Sequence, residues 1–166
     1  MEKQRKFVSK IDSVVKQNSG RMFDTAQNIY YYADYILKIF KAPAYKNKVL
    51  DAKINYNNFI NDLNVIMRES DEIMYWIQGG FDGFDIDDNF PTNDSVALKG
   101  LEKEWQRVST INKAINSTTI LDVADLYNSD RINKAIKGIK EGVKKLNTYF
   151  TQSINVVKRN AASKRK

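Results

Sequence analysis

From Val49 to Ile77 a residue suited to a buried helix face, apolar except for Ser70, returns every three or four positions. The series is Val49, Ala52, Tyr56, Phe59, Ile60, Leu63, Ile66, Met67, Ser70, Ile73, Met74 and Ile77. This near-heptad rhythm is the period of one helix face, and it is not the alternation of a strand. It predicts one helix over 46–78, about 45–50 Å long at 1.5 Å per residue, stopped by Gly79-Gly80. A stripe of that length must bury against other helices.

Similar stripes fill most of the chain. Phe7, Val8, Ile11, Val14 and Val15 mark a helix over 3–18. Ser19-Gly20 punctuates it, although a long helix can run through. Phe23, Ala26, Ile29, Tyr30, Ala33, Ile36, Leu37 and Phe40 mark a helix over 22–41. Ala42-Pro43 ends it, because the residue before proline is pushed out of the α region. Leu98, Leu101, Trp105, Val108, Ile111 and Ile115 mark 95–116, with Thr92, Asn93 or Asp94 available as a cap. Asn116-Ser117-Thr118 closes that segment. Thr119 followed by Asp122 then resembles a capping box opening a short helix over 120–127. Asn128-Ser129-Asp130 caps a last helix, about 130–159, with the stripe Ile132, Ala135, Ile136, Ile139, Val143, Leu146, Phe150, Ile154 and Val157. With only two prolines and seven glycines there is little to interrupt long helices. The expected fold is all-α: an elongated antiparallel helical bundle of four to five long helices plus one short helix, as one domain over 1–160 with a basic tail over 161–166.

Charge is unevenly spread. Residues 131–166 hold eleven Lys or Arg and a single acid, Glu141, so this stretch exceeds the net +7 of the whole chain. At about 100° per residue, Lys134, Lys137, Lys140, Lys144, Lys145 and Lys158 fall opposite the apolar stripe. With Arg159, Lys164, Arg165 and Lys166 they form the candidate polyanion- or partner-binding set. Three readings are open: a solvated face that keeps the protein soluble, a nucleic-acid or acidic-protein partner, and an anionic membrane surface. The sequence holds no helix-turn-helix or zinc-finger signature. Contacts to nucleic acid would therefore go mainly to phosphates and weaken with salt.

The counterpart is the acidic loop over 81–94, with Asp82, Asp85, Asp87, Asp88 and Asp94 and no Lys or Arg. Asp85, Asp87 and Asn89 match the first three ligand positions of an EF-hand. Phe90 and Val96 stand where glycine and glutamate are needed. A solvated loop whose Phe81, Phe84 and Phe90 pack onto the bundle end explains the segment more simply. A third reading has the acidic loop of one copy meeting the basic helix of another, in head-to-tail assembly.

Two further features carry meaning. Tyr30 lies on the core stripe, whereas Tyr31, Tyr32 and Tyr35 point elsewhere, so at least one should be partly exposed or in an interface. Exposed tyrosines near cations can stack on bases, and they also serve protein contacts. Trp76 and Trp105 read as core or interface anchors. Gly138 and Gly142 have the spacing of a close helix crossing.

Many chemistries are missing. There is no cysteine and no histidine, which removes disulfides, thiolate sites and Ser-His or Cys-His catalysis. No Walker loop or G-x-G-x-x-G occurs, and Gly79-Gly80 follows a helix. No acidic residue is placed on an apolar stripe, so carboxylate catalysis is not expected either. The expectation is a non-enzyme with no cofactor, metal or small-molecule substrate. The charged start, Met1-Glu2-Lys3-Gln4-Arg5-Lys6, and the lack of a long apolar run point away from a signal peptide or membrane span, hence to cytoplasm or virion. Over about twenty residues, the stretch from Asn61-Asp62-Leu63-Asn64 to Trp76-Ile77-Gln78-Gly79-Gly80 faintly resembles small helical head-to-tail connector proteins of tailed phages. The resemblance falls short of a family assignment and implies only a role in a particle. The leading expectation is a structural component acting through protein–protein contacts in an oligomer or larger particle. The alternative is sequence-nonspecific nucleic-acid binding by the lysine-rich helix.

Overall fold

The computed structural model describes the backbone of residues 2–78 and 94–164, and the side-chain surroundings of 17–78 and 98–159. The described residues form six helices: α1 (Glu2–Lys41), α2 (Pro43–Asp51), α3 (Tyr56–Ile77), α4 (Asp94–Ile115), α5 (Thr118–Tyr127) and α6 (Asp130–Lys164). Four are long and two are short. The acidic loop, including Asp82, Asp85, Asp87 and Asp88, lies outside the described residues, as do Arg165, Lys166 and the side chain of Lys164.

The two segments expected over 3–18 and 22–41 are one 40-residue helix. Asn18 and Ser19 are buried in its packed face, and Asn18 Nδ2 donates to Ser153 Oγ on α6 at 3.2 Å. Tertiary packing outweighs the roughly 1 kcal/mol that Gly20 costs in helix propensity.

The helix expected over 46–78 is instead broken at 52–55. Pro43 starts α2, and Lys53 adopts the left-handed conformation at φ 62°. Lys53 N–H donates to Leu50 O at 2.9 Å and Ile54 N–H to Val49 O at 3.2 Å, the two bonds of a Schellman stop. Asn55 then caps α3, its Oδ1 accepting from Asn58 N–H at 3.0 Å. With 22 residues, α3 is about 33 Å long. The apolar rhythm spanned the break because Val49 and the α3 stripe reach the same core, while Ala52 within the break is exposed.

Helices α1, α3, α4 and α6 form the bundle, with α1 and α4 each packed against both α3 and α6. Neighbours run antiparallel. Tyr56 at the start of α3 donates through its hydroxyl to Phe40 O near the end of α1, at 2.8 Å. Trp105 Nε1 on α4 donates to Asn147 Oδ1 on α6, at 3.0 Å. The short helices close one end. There Phe40 meets Phe59, Tyr127 and Tyr45 edge-on at 4.8, 5.2 and 5.7 Å between ring centroids. Tyr45 stacks on Tyr127 at 5.1 Å, and Lys48 Nζ lies over the Tyr127 ring at 4.6 Å. At the other end Trp76 is buried and stacks on Phe150. Gly100 leaves room for it, since a Cβ there would lie 3.3 Å from the indole.

Two local expectations need correction. Trp105 is 39% exposed, and Glu104 occupies the buried position beside it. The α5 cap is Ser117, whose Oγ accepts from Ile120 N–H. The Thr119 hydroxyl, read as the cap, donates to Asp62 Oδ2 at 2.9 Å, and Ser117 Oγ donates to the same oxygen at 2.7 Å. Asp62 on α3 thus holds the α4–α5 corner.

The Gly138/Gly142 pair does mark a close crossing, between α6 and α1. A Cβ on Gly142 would lie 2.6 Å from Ile29 Cγ1, and one on Gly138 would lie 2.5 Å from the Tyr32 ring. Ile29 is fully buried and has nowhere to go, whereas Tyr32 is partly exposed and can swing outward. Gly142→Ala should therefore lower stability by about 1–2 kcal/mol in urea unfolding, with Gly138→Ala costing less. Lys53→Gly should raise stability by roughly 0.5–1 kcal/mol in the same assay, because glycine adopts positive φ without the Cβ penalty.

Candidate functional site

Of the residues expected to bind a partner, those from Lys134 to Arg159 lie along α6. Lys134, Lys137, Lys144, Lys145, Lys158 and Arg159 are exposed, and Lys140 is half-buried. The apolar stripe on the opposite side of the helix, from Ile132 to Val157, is buried. None of these cations forms an ion pair with a carboxylate among the described residues. Even Glu141, one helical turn from both Lys137 and Lys145, pairs with neither. Elsewhere cations do find partners, as Lys38 does with Asp34 at 2.8 Å. The α6 face therefore carries uncompensated positive charge.

The antiparallel pairing of α1 and α6 adds what the sequence did not join. Tyr31, Tyr32 and Tyr35 of α1 stand beside Arg131 and Lys134 of α6. Together with Asn28 and Ala135 they line a groove of about 520 Å³. The three tyrosines are 59, 40 and 41% exposed. Tyr31 and Tyr35 are four residues apart and share a helix face, as do Arg131 and Lys134, three apart. An aromatic row on one helix thus faces a cationic row on the other. Among the described residues, no carboxylate lines the groove. Tyr30 packs edge-on against Tyr31 at 5.8 Å and limits where that ring can turn.

Arg131 was absent from the residues singled out by sequence. It precedes the first apolar residue of the stripe, and its value comes from a partner about a hundred positions away. The sequence signal for that pairing was the Gly138/Gly142 spacing, and Gly138 allows Tyr32 to lie across α6.

A second polar cluster lies between α3 and α4, and it overturns the expectation that no acid sits on an apolar stripe. Glu69 and Glu104 are both buried. Arg107 joins them, its Nε donating to Glu104 Oε2 at 2.7 Å and its Nη1 to Glu69 Oε2 at 3.0 Å. Arg68 also reaches Glu69 at 3.3 Å, and Glu72 lies 3.9 Å from Arg107. Burial raises the Glu104 carboxyl above its ordinary 4.5, against the opposing charge and hydrogen bond of Arg107. For Arg107, burial works to lower the pKa, but the hydrogen bond with Glu69 and the charge of Glu104 outweigh it and hold the guanidinium above its ordinary value. The geometry is that of a helix-to-helix clamp. Every carboxylate in it faces a guanidinium, and the cluster does not border the tyrosine groove.

No family model matches the chain, and neither a curated protein nor a solved structure is significantly similar to it. The groove and the cationic face therefore carry the functional reading through their chemistry. Among the described residues, no helix is long and apolar enough to cross a membrane.

The clamp makes a contrast that can be measured. Arg107→Met leaves two buried carboxylates without their main partner and should cost about 3–5 kcal/mol. Glu104→Gln removes a charge that burial disfavours and should cost far less. The sign of its pH dependence follows from the raised pKa. The folded state binds the Glu104 proton more tightly than the unfolded chain, so the penalty is absent below 4.5 and develops as pH rises through the folded value. The stability of Glu104→Gln relative to the parent protein should therefore fall as pH is lowered from neutrality towards 4.5, in urea titrations at each pH.

Proposed function

We propose that this protein is a non-catalytic, sequence-nonspecific nucleic-acid-binding helical bundle that engages phosphates with the cationic face of α6. The observation that carries the reading is the uncompensated charge. Seven cations, from Lys134 to Arg159, project from one helix without a carboxylate partner among the described residues. A solvated face meant only for solubility would gain as much from mixed charge. The groove beside it adds aromatic surface, which a purely solubilising face has no use for. Lys164, Arg165 and Lys166 follow in sequence and add three more positive charges. Such a role fits the cytoplasm or the interior of a virion.

A second reading is assembly into an oligomer or larger particle through protein contacts. It is favoured by exposed aromatic surface away from α6. Tyr75 of α3 is 56% exposed and lines a cleft with Phe23, Asp71, Glu72 and Met74. Tyrosine, phenylalanine and methionine are enriched at protein interfaces.

The two readings separate in solution. Under the first, a labelled oligonucleotide binds with an affinity that falls steeply between about 50 and 200 mM salt. Lys144→Gln with Lys145→Gln should weaken binding of all sequences alike and flatten the slope of log K against log salt by about 0.7–0.9 per lost phosphate contact. Light scattering would show discrete oligomers, with no oligonucleotide binding near physiological salt, if the second reading is the right one.

A further inference from the structure

We infer that the groove between α1 and α6 is a stacking site for unpaired bases, so that the protein prefers single-stranded nucleic acid to duplex. The inference rests on the nucleic-acid reading above and assigns a ligand class to the groove itself.

The argument begins with shape. A space of about 520 Å³ falls within the range of pockets that hold small flat ligands. One wall is aromatic, built from Tyr31, Tyr32 and Tyr35, and much of each side chain faces solvent. Such rings offer π surface to any base without regard to sequence. Bases within a duplex already stack on each other, so only an unpaired base has a face free for a tyrosine.

Charge fixes the rest of the ligand. Arg131 and Lys134 form the opposite wall, and neither pairs with a carboxylate among the described residues. A base seated on the tyrosines would bring its phosphate towards these two cations. Asn28 supplies an amide that can both donate and accept, the capacity a base edge requires. An acidic peptide would satisfy the cations but would leave three aromatic faces without flat partners. Continuity of Lys134 with the exposed Lys137, Lys144 and Lys145 on α6 gives the rest of the strand a cationic track.

The residues to change are Tyr31 and Tyr35, since Tyr32 also covers Gly138 at the helix crossing. Fluorescence anisotropy would compare labelled oligothymidylate with a duplex of the same length, using the full chain, with circular dichroism and thermal unfolding checked for each variant. The expected result is tighter binding of the single strand. Tyr31→Ala and Tyr35→Ala should each weaken it roughly tenfold while leaving duplex binding unchanged. Tyr31→Phe and Tyr35→Phe should keep the affinity, because stacking needs the ring and not the hydroxyl. Equal binding of both forms, with the alanine variants unaffected, would overturn the stacking site and leave phosphate binding by α6 standing. Displacement of the oligonucleotide by polyglutamate at matched charge, again with no tyrosine effect, would also overturn it and point to an acidic protein partner. Binding of neither nucleic acid would remove the nucleic-acid reading itself.

Discussion

Everything on the α1–α6 face depends on how near two helix backbones come at Gly138 and Gly142. Side chains at these positions would collide with Tyr32 and Ile29. Their absence lets Ile29 enter the core and lets Tyr32 lie across α6. That approach sets the groove, because it brings the tyrosine row of one helix against Arg131 and Lys134 of the other. It also fixes the register of the pairing, in which Asn18 meets Ser153 at the far end. Helix propensity is given up at both glycines, about 1 kcal/mol each, and packing restores it.

The bundle as a class was legible because its evidence is periodic. The stripes of 22–41, 95–116 and 130–159 correspond to buried faces, Trp105 apart, and residues such as Phe40, Ile111 and Phe150 are fully enclosed. Helix ends were less legible. The stop at Lys53 has no glycine, so nothing in the local sequence announced a left-handed residue. Ser19-Gly20 left open whether a helix stops there; it runs through, and Ser19 sits in the packed face of a continuous helix.

The exchange of Trp105 and Glu104 has a different cause. Hydrophobicity alone places Trp105 on the stripe. The structure places Glu104 there because Arg107, one turn away, neutralises it and links it to Glu69 on α3. Trp105 can then stand at the margin, with its indole nitrogen bonded to Asn147. Pairings of this kind are encoded between helices and are invisible to the period of any one of them. The cationic face of α6 was readable, because charge and angle along a single helix suffice. The groove was not, because its two walls are separated by most of the chain.

That separation has a consequence during synthesis. The tyrosines of α1 leave the ribosome early, while Arg131 and Lys134 follow about a hundred residues later. At about 5–20 residues per second, seconds pass in which the nascent chain displays aromatic surface with no cationic wall opposite it. A chain that stops short of α6 would have neither the groove nor the crossing that holds it. The groove is therefore a property of the finished molecule, present only once the early and late parts of the chain have met.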